Sequence, residues 1–488
     1  MPQYIHARHL GATAAVLMAF LLIVGCMSGC QSQAANPNDA TDTLWQPEVE
    51  TLPEDTRVLT DDSVHQNRLD TAFAGAEPVA ADRLIYNAES DSVTIIGYLD
   101  LPTLAVLPSE IDGLPVTAIE SRAFAGSSVQ ALSIPDTVTR IGLGAFEDCT
   151  KLTTLKTPLC TGGTEPNSAY FGYLFGASSY EINAGSVPDS LLTVLLSEPL
   201  AEIPSYAFYG CNDVTALSIP DTVTRIGRFA FAACSDLVCI SMSQSLTEIG
   251  DYAFESNTSL LSVAFPATVT NMGLGLFQGC AALESLTLPF VGGTREENTF
   301  LGYLFGASAY TFTEGFLPTS FMEVILSEGC TSIPDNAFCF ASWLRRVEIP
   351  ASCTSVGRRA FYGCKRLAAV DLSGVAAIGD MAFMDCISLS DVTLGNTLFS
   401  VGVQAFYDCT ALSAVDLPSS LTAIPASCFD GCVSLSRVSW GAGLASIGKN
   451  AFRRCTGLTD TATHPAMDGI AVESGNDVLF PPSPTTTD

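Results

Sequence analysis

Repetition constrains this chain more than any other feature. Residues Ala131 to Gly142 read Ala-Leu-Ser-Ile-Pro-Asp-Thr-Val-Thr-Arg-Ile-Gly, and the same twelve residues recur unchanged from Ala216 to Gly227. Four residues after each final Gly stands a Phe (Phe146, Phe231), and three later a Cys (Cys149, Cys234). The Phe marker continues at Phe124, Phe208, Phe254, Phe277, Phe338, Phe361, Phe383, Phe406, Phe429 and Phe452. The intervals are 22 or 23 residues, apart from two of 62 and 61. A period in this range predicts coils stacked in an array.

The unit is Leu-x-x-Val-x-Leu-Pro-x-x-Leu-x-x-Ile-Gly-x-x-Ala-Phe-x-x-Cys. Leu412 to Cys432 is a full example, with Pro425 in place of the Gly. Leu412, Val415 and Leu417 fit a short strand with inward side chains. Pro418 ends it, because Pro brings no N–H to a ladder. The Gly after Ile (Gly142, Gly227, Gly250, Gly379, Gly448) suits a turn needing positive φ or close packing. Ala-Phe reads as a short helical turn that plugs the coil. One coil buries too few side chains to offset the ordering of its backbone, so stacking must supply the difference.

With this unit the chain resembles the BspA-like (Treponema-type) leucine-rich repeats over about residues 90 to 458. The resemblance implies a right-handed leucine-rich-repeat solenoid with a parallel sheet on its concave side and short helical turns or loops on its convex side. The markers predict about 13 coils. The resemblance further implies a cell-surface or secreted protein that binds macromolecules, often host matrix components, and that is not an enzyme.

The remaining segments divide as follows. Residues 1–25 read as a lipoprotein-type export signal, with Arg8 ahead of an apolar run from Leu10 to Val24 that is short for a bilayer span. Ile23-Val24-Gly25-Cys26 resembles a bacterial lipobox, which makes Cys26 the lipidation candidate and Cys30 the alternative. Residues 26–84 are polar and acidic without a period, and are expected to be a disordered tether. Residues 85–122 resemble the N-terminal cap of such arrays. Residues 123–458 are the repeats, with two long coils at about 158–190 and 289–320. Gly172-Tyr173-Leu174-Phe175-Gly176-Ala177-Ser178 returns in the second at Gly302 to Ser308, an offset of 130 residues that suggests a duplicated block. Residues 459–488 are expected to form a partial cap and a disordered tail.

Charge and histidine content exclude several functions. The net charge is −30, from 51 acidic and 21 basic residues. Such a surface repels nucleic acid and favours a basic partner. None of the four histidines lies between Asn67 and Thr463. A Ser-His or Cys-His nucleophile pair inside the array is thereby excluded, as is a His-rich metal site. No catalytic residue, cofactor or metal is expected.

Nine of the 17 cysteines follow the marker by three residues: Cys149, Cys211, Cys234, Cys280, Cys364, Cys386, Cys409, Cys432 and Cys455. They are expected to form a buried column of small apolar fillers without disulfides. On the strand, the third and fifth positions of Leu-x-x-Val-x-Leu should face solvent. In the first half these are small, as at Ala216, Ser218, Cys239 and Ser241. In the second half they are charged or polar: Arg346, Glu348, Asp371, Asp391, Thr393, Asp416 and Arg437. That stretch is the candidate binding surface. The expected protein is anchored to the cell envelope through a lipid, on the outer surface or on the periplasmic face. Its expected partner is a protein such as a host matrix component or another cell-surface protein. The alternative is a scaffolding envelope lipoprotein without a host ligand.

Overall fold

The computed structural model describes residues 71–163, 169–458 and 470–476. The lipobox cysteines, the chain up to residue 70, and residues 164–168, 459–469 and 477–488 lie outside the described residues. Each repeat position pairs with its own copy one coil later. Leu132 lies beside Leu155, Leu155 beside Val194, Val194 beside Leu217, and Leu217 beside Ile240, all in parallel register. The main ladder, of three- and four-residue strands, runs from Leu104–Val106 to Arg437–Ser439 in four successive parallel sheets. A second ladder of two-residue strands includes Arg225–Ile226, Glu248–Ile249 and Asn271–Met272, again parallel. The strands are short because a Pro or a turn follows each apolar pair, as Ile134-Pro135 does after Ala131–Ser133.

The marker turn closes each coil and joins it to the next. The Phe361 N–H donates to the Ala382 carbonyl at 2.7 Å, and the Phe383 N–H donates to the Ala405 carbonyl at 2.7 Å. The rings are fully buried and stack between coils. Phe361 and Phe383 lie 4.9 Å apart at 6°, and Phe383 and Phe406 lie 5.2 Å apart at 1°. The Gly after Ile is required by close approach, not by positive φ. A Cβ on Gly402 would lie 2.3 Å from the Asp380 backbone nitrogen of the preceding coil.

The solenoid has about 16 turns, more than the expected 13. The markers undercount because three coils are plugged by aromatic residues outside the repeat spacing. Tyr98 stacks on Phe124 at 5.9 Å, Phe175 packs on Phe146 at 6.2 Å, and Phe305 packs on Phe277 at 6.0 Å. A last rung, Ala471–Val472, pairs with Ser446–Ile447. There Asn476 Oδ1 accepts the Phe452 N–H at 3.0 Å, in the place where a further coil would offer a carbonyl.

At the other end, the fold includes residues on the N-terminal side of the expected boundary at residue 84. Residues 71–84 include two short 3-10 turns. Val79 is buried, and its N–H donates to the Val106 carbonyl at 2.7 Å, covering the first strand of the main ladder. The hairpin Leu84–Ala88 and Val93–Tyr98 then leads into the array.

The two long coils keep the main ladder continuous but interrupt the second, which stops at Asn271–Met272 and resumes at Ser332–Ile333. Thr154–Thr157 pairs directly with Thr193–Leu196, and Ser285–Leu288 with Glu323–Leu326. The extra residues sit on the turn side, as a 3-10 helix (Phe171–Phe175; Leu301–Phe305) and a single helical turn (Asn183–Ser186; Thr313–Phe316). The 3-10 helix passes the turn ladder onward. The Phe146 N–H donates to the Leu174 carbonyl at 2.9 Å, and the Phe171 N–H donates to the Ala207 carbonyl at 2.7 Å. Asn183 is fully buried and fixes this arrangement. Its Oδ1 accepts from the Gly172 N–H at 2.9 Å. Its Nδ2 donates to the Ala207 carbonyl at 3.3 Å and to the Tyr209 carbonyl at 3.1 Å.

All fifteen described cysteines are free thiols. The nine after the marker are buried, and eight of them hydrogen-bond through sulfur. The Sγ of Cys386 donates to the Phe361 carbonyl at 3.1 Å, that of Cys409 to the Phe383 carbonyl at 3.1 Å, and that of Cys455 to the Phe429 carbonyl at 3.0 Å. Cys149, Cys234, Cys280, Cys364 and Cys432 repeat the contact. The thiol thus fills the coil and donates a weak hydrogen bond to a buried carbonyl.

Burial pushes the thiols of Cys234, Cys280 and Cys455 up to about 12 from 9.0. Their contribution to stability is fully present below the unfolded value of 9.0 and is lost as the pH climbs toward about 12. Urea midpoints are therefore expected to fall between about pH 9 and pH 11, and the thiols to resist a thiol reagent at neutral pH until the chain is unfolded. Full labelling of the folded chain at neutral pH would contradict this burial.

Candidate interaction surface

Along the main ladder the central residue of each strand points inward. Val347, Val370, Val415 and Val438 are buried. The residues on either side point outward, as the period of two requires. Arg346, Glu348, Asp371, Asp391, Thr393, Asp416 and Arg437 are all exposed. The repeat therefore sets their direction, while their identity is free to vary.

These residues form two ion-paired groups with unpaired acids between them. Arg346 contacts Glu348 on its own strand and lies 3.3 Å from Glu323 on the preceding one. Arg437 lies 3.2 Å from Asp416, and the Ser439 hydroxyl donates to the same carboxylate. Asp371 accepts the Ser373 N–H at 2.9 Å and pairs in register with Thr393, while Asp391 pairs with Ala369. Neither Asp371 nor Asp391 has an ion-pair partner among the described residues. Both line an open depression of about 590 Å³, together with Arg345, Arg346, Glu348 and Thr393. Val347 and Val370 form part of its floor. Asp416 and Arg437 lie outside this lining. Among the described residues, no group of three or more His, Cys, Asp or Glu is arranged to hold a metal ion.

The first half of the same face departs from expectation. Ala216, Ser218 and Ser241 were expected to face solvent, yet each is buried. Leu195, in the fifth position of the coil before, is 4 % exposed and pairs in register beside Ser218. An apolar chain at that rung shields its small neighbour. Glu323, the second partner of Arg346, also escaped notice. It stands where the second long coil returns to the ladder, and there Phe321 replaces the first Leu of the unit.

The family described as BspA type leucine rich repeat region matches residues 115–174, 188–302, 310–399 and 376–472, in six copies. The chain belongs to this family. No curated protein is a significant match. Among solved structures, a leucine-rich repeat protein from Bacteroides ovatus is 25% identical, over 78% of this chain and 94% of its own, with a TM-score of 0.35. A leucine rich cell surface protein from Faecalibacterium prausnitzii is 22% identical, over 82% and 98%, with a TM-score of 0.29. The leucine-rich repeat protein of T. pallidum is 20% identical, over 69% and 91%, with a TM-score of 0.18. These superpositions are loose and carry no further argument. BspA-type repeats share the general property of solenoids, an extended surface whose side chains can change without changing the coil. Among the described residues, no helix is long and apolar enough to cross a membrane.

The surface ion pairs are exposed and should add little to stability. Replacing Arg437 with Ala, or Asp416 with Asn, is expected to change unfolding free energy by about 0–1 kcal/mol in denaturant titration. A larger loss would mean that this face serves folding.

Proposed function

We propose that this BspA-type protein is a lipid-anchored surface protein that binds a basic segment of a partner protein at the strand face around Asp371 and Asp391. The partner is a host matrix protein or another cell-surface protein. The observation that carries the reading is the pair of acids without counter-ions in an open, valine-floored depression. A basic side chain docked there would gain two carboxylates already fixed by the ladder, with little ordering left to do. Arg346 and Arg437 are held by their own acids, and the acids of this face outnumber its arginines. The overall charge of −30 steers the same class of partner. Nothing in the repeat array suggests catalysis, and leucine-rich-repeat solenoids are typically non-enzymatic.

The anchor reading rests on Ile23-Val24-Gly25-Cys26. One diacylated residue followed by a polar stretch holds a chain at a membrane without a span.

Two experiments test these readings. Reversing both acids (Asp371→Lys with Asp391→Lys) should weaken binding to a basic partner about tenfold or more, and raising the salt should weaken binding to the parent chain. Unchanged affinity of the double variant, in a solid-phase assay against matrix proteins, counts against this face. In cells, Cys26→Ser is expected to abolish palmitate incorporation, and Cys30→Ser to leave it intact. Protease added to intact cells should remove the array. Survival of the array would favour the periplasmic face.

A further inference from the structure

A second surface lies on the turn side of the solenoid, away from the strand face. Tyr206, Phe229 and Tyr252 occupy one place in three successive coils, two residues before the marker Phe. The backbone there is left-handed, with φ of 63°, 54° and 57°. Bulky side chains rarely adopt that conformation. Glycine holds the same place at Gly144 and Gly275.

The three aromatic side chains build a ladder. Tyr206 and Phe229 stack at 5.2 Å, and Phe229 and Tyr252 at 5.1 Å. Tyr180, from the first long coil, packs on Tyr206 at 4.4 Å and meets Tyr209 edge to face at 5.7 Å. Tyr180, Tyr206, Tyr209 and Phe229 enclose a depression of about 350 Å³ together with Glu181 and Glu255. The rings are half-buried, so the ladder is open to solvent along one side. Neither glutamate forms an ion pair among the described residues. Burial raises the Glu255 carboxyl above its usual range, partly opposed by Arg228. The Arg228 guanidinium already lies over Phe229 at 4.8 Å and over Tyr252 at 5.8 Å. The chain's own Arg228 thus already sets one cation against this ladder.

The duplicated block shows that the coil does not require these residues. At the corresponding places after the second long coil stand Thr311 for Glu181, Asn336 for Tyr206, Cys339 for Tyr209, Arg359 for Phe229 and Met384 for Glu255. Only Tyr180 keeps its kind, as Tyr310. Both blocks nevertheless form the same ladders. At these five places the second block keeps neither the aromatic rings nor the acids, although it carries other aromatic residues at Phe340 and Tyr362.

We infer that the depression between Tyr180, Tyr206, Tyr209 and Phe229 is a second binding site, which takes a guanidinium or alkylammonium side chain from a basic segment of a protein. The ring faces supply negative potential, and Glu181 and Glu255 supply the counter-charge. An open aromatic trough with two unpaired carboxylates favours a cation over a neutral or anionic ligand.

The test is calorimetric titration of the full chain with an acetylated tetra-arginine amide and, separately, with a neutral glucose tetrasaccharide. Tyr206→Asn restores the residue of the second block, and Glu255→Gln removes a charge at constant shape. Each is expected to weaken peptide binding about threefold to fivefold, the scale of one exposed cation–π or charge contact. Asp371→Asn reports the strand face separately, so the failure of one surface is visible without the other. Parent-like peptide binding by both turn-side variants overturns the inference. Saccharide binding that Tyr206→Asn abolishes, with peptide binding unaffected, overturns it as well. Should Tyr206→Asn fail to fold, as judged by its thiols reacting at neutral pH, Glu255→Gln decides the matter alone.

Discussion

Every coil depends on a hydrogen bond it cannot make by itself. The N–H of the marker Phe donates to a carbonyl of the next coil, and the buried ring stacks on the next ring. An unpaired N–H buried at that depth would cost stability on the order of 1–3 kcal/mol. The array must therefore be finished at its end, and Asn476 finishes it with a side-chain oxygen in place of a carbonyl. The cysteines follow from the same constraint. The marker carbonyl sits in a space closed by the next coil, and a thiol is small enough to enter and still donate to it.

The same economy separates what the fold needs from what it leaves open. Inward positions are mostly Leu, Val, Ile, Phe, Ala and Cys, with Met at Met242 and Met272, because neighbours one coil away leave little other volume. Outward positions on the strands carry no such demand. Arginines and acids can stand there, paired at Arg346 and Arg437 and unpaired at Asp371 and Asp391. Binding surfaces can thus change on this scaffold without disturbing its core.

What repeats was legible in the sequence. The strand of Leu412, Val415 and Leu417, the Phe column and the Cys column are periodic, and a period constrains a fold at every copy at once. The outward direction of Arg346 through Arg437 followed from the same rule. What broke the period was hidden. Tyr98, Phe175 and Phe305 plug coils from irregular spacing, so the coils were undercounted. Val79 stands between Pro78 and Ala80, outside the period, and only its pairing with Val106 reveals it as part of the fold. The burial of Ser218 depends on Leu195 beside it, at a rung where a long coil interrupts the column. The turn-side rings occupy positions written as x in the unit, where composition is free and the pattern gives no reason to look. The Gly after Ile allowed two explanations, and the distance from Gly402 to the Asp380 backbone selects close approach.

Asn183 has a mechanical consequence. In an ordinary coil the chain is tied to its neighbours by backbone ladders that can open one rung at a time. Asn183 joins the 3-10 helix of its own coil to two carbonyls of the next, at Ala207 and Tyr209, from a fully buried position. Unravelling past this point would have to open both inter-coil bonds of one buried side chain together, like a rivet through two plates. Under tension along the stack, that joint would open later than coils held by backbone rungs alone.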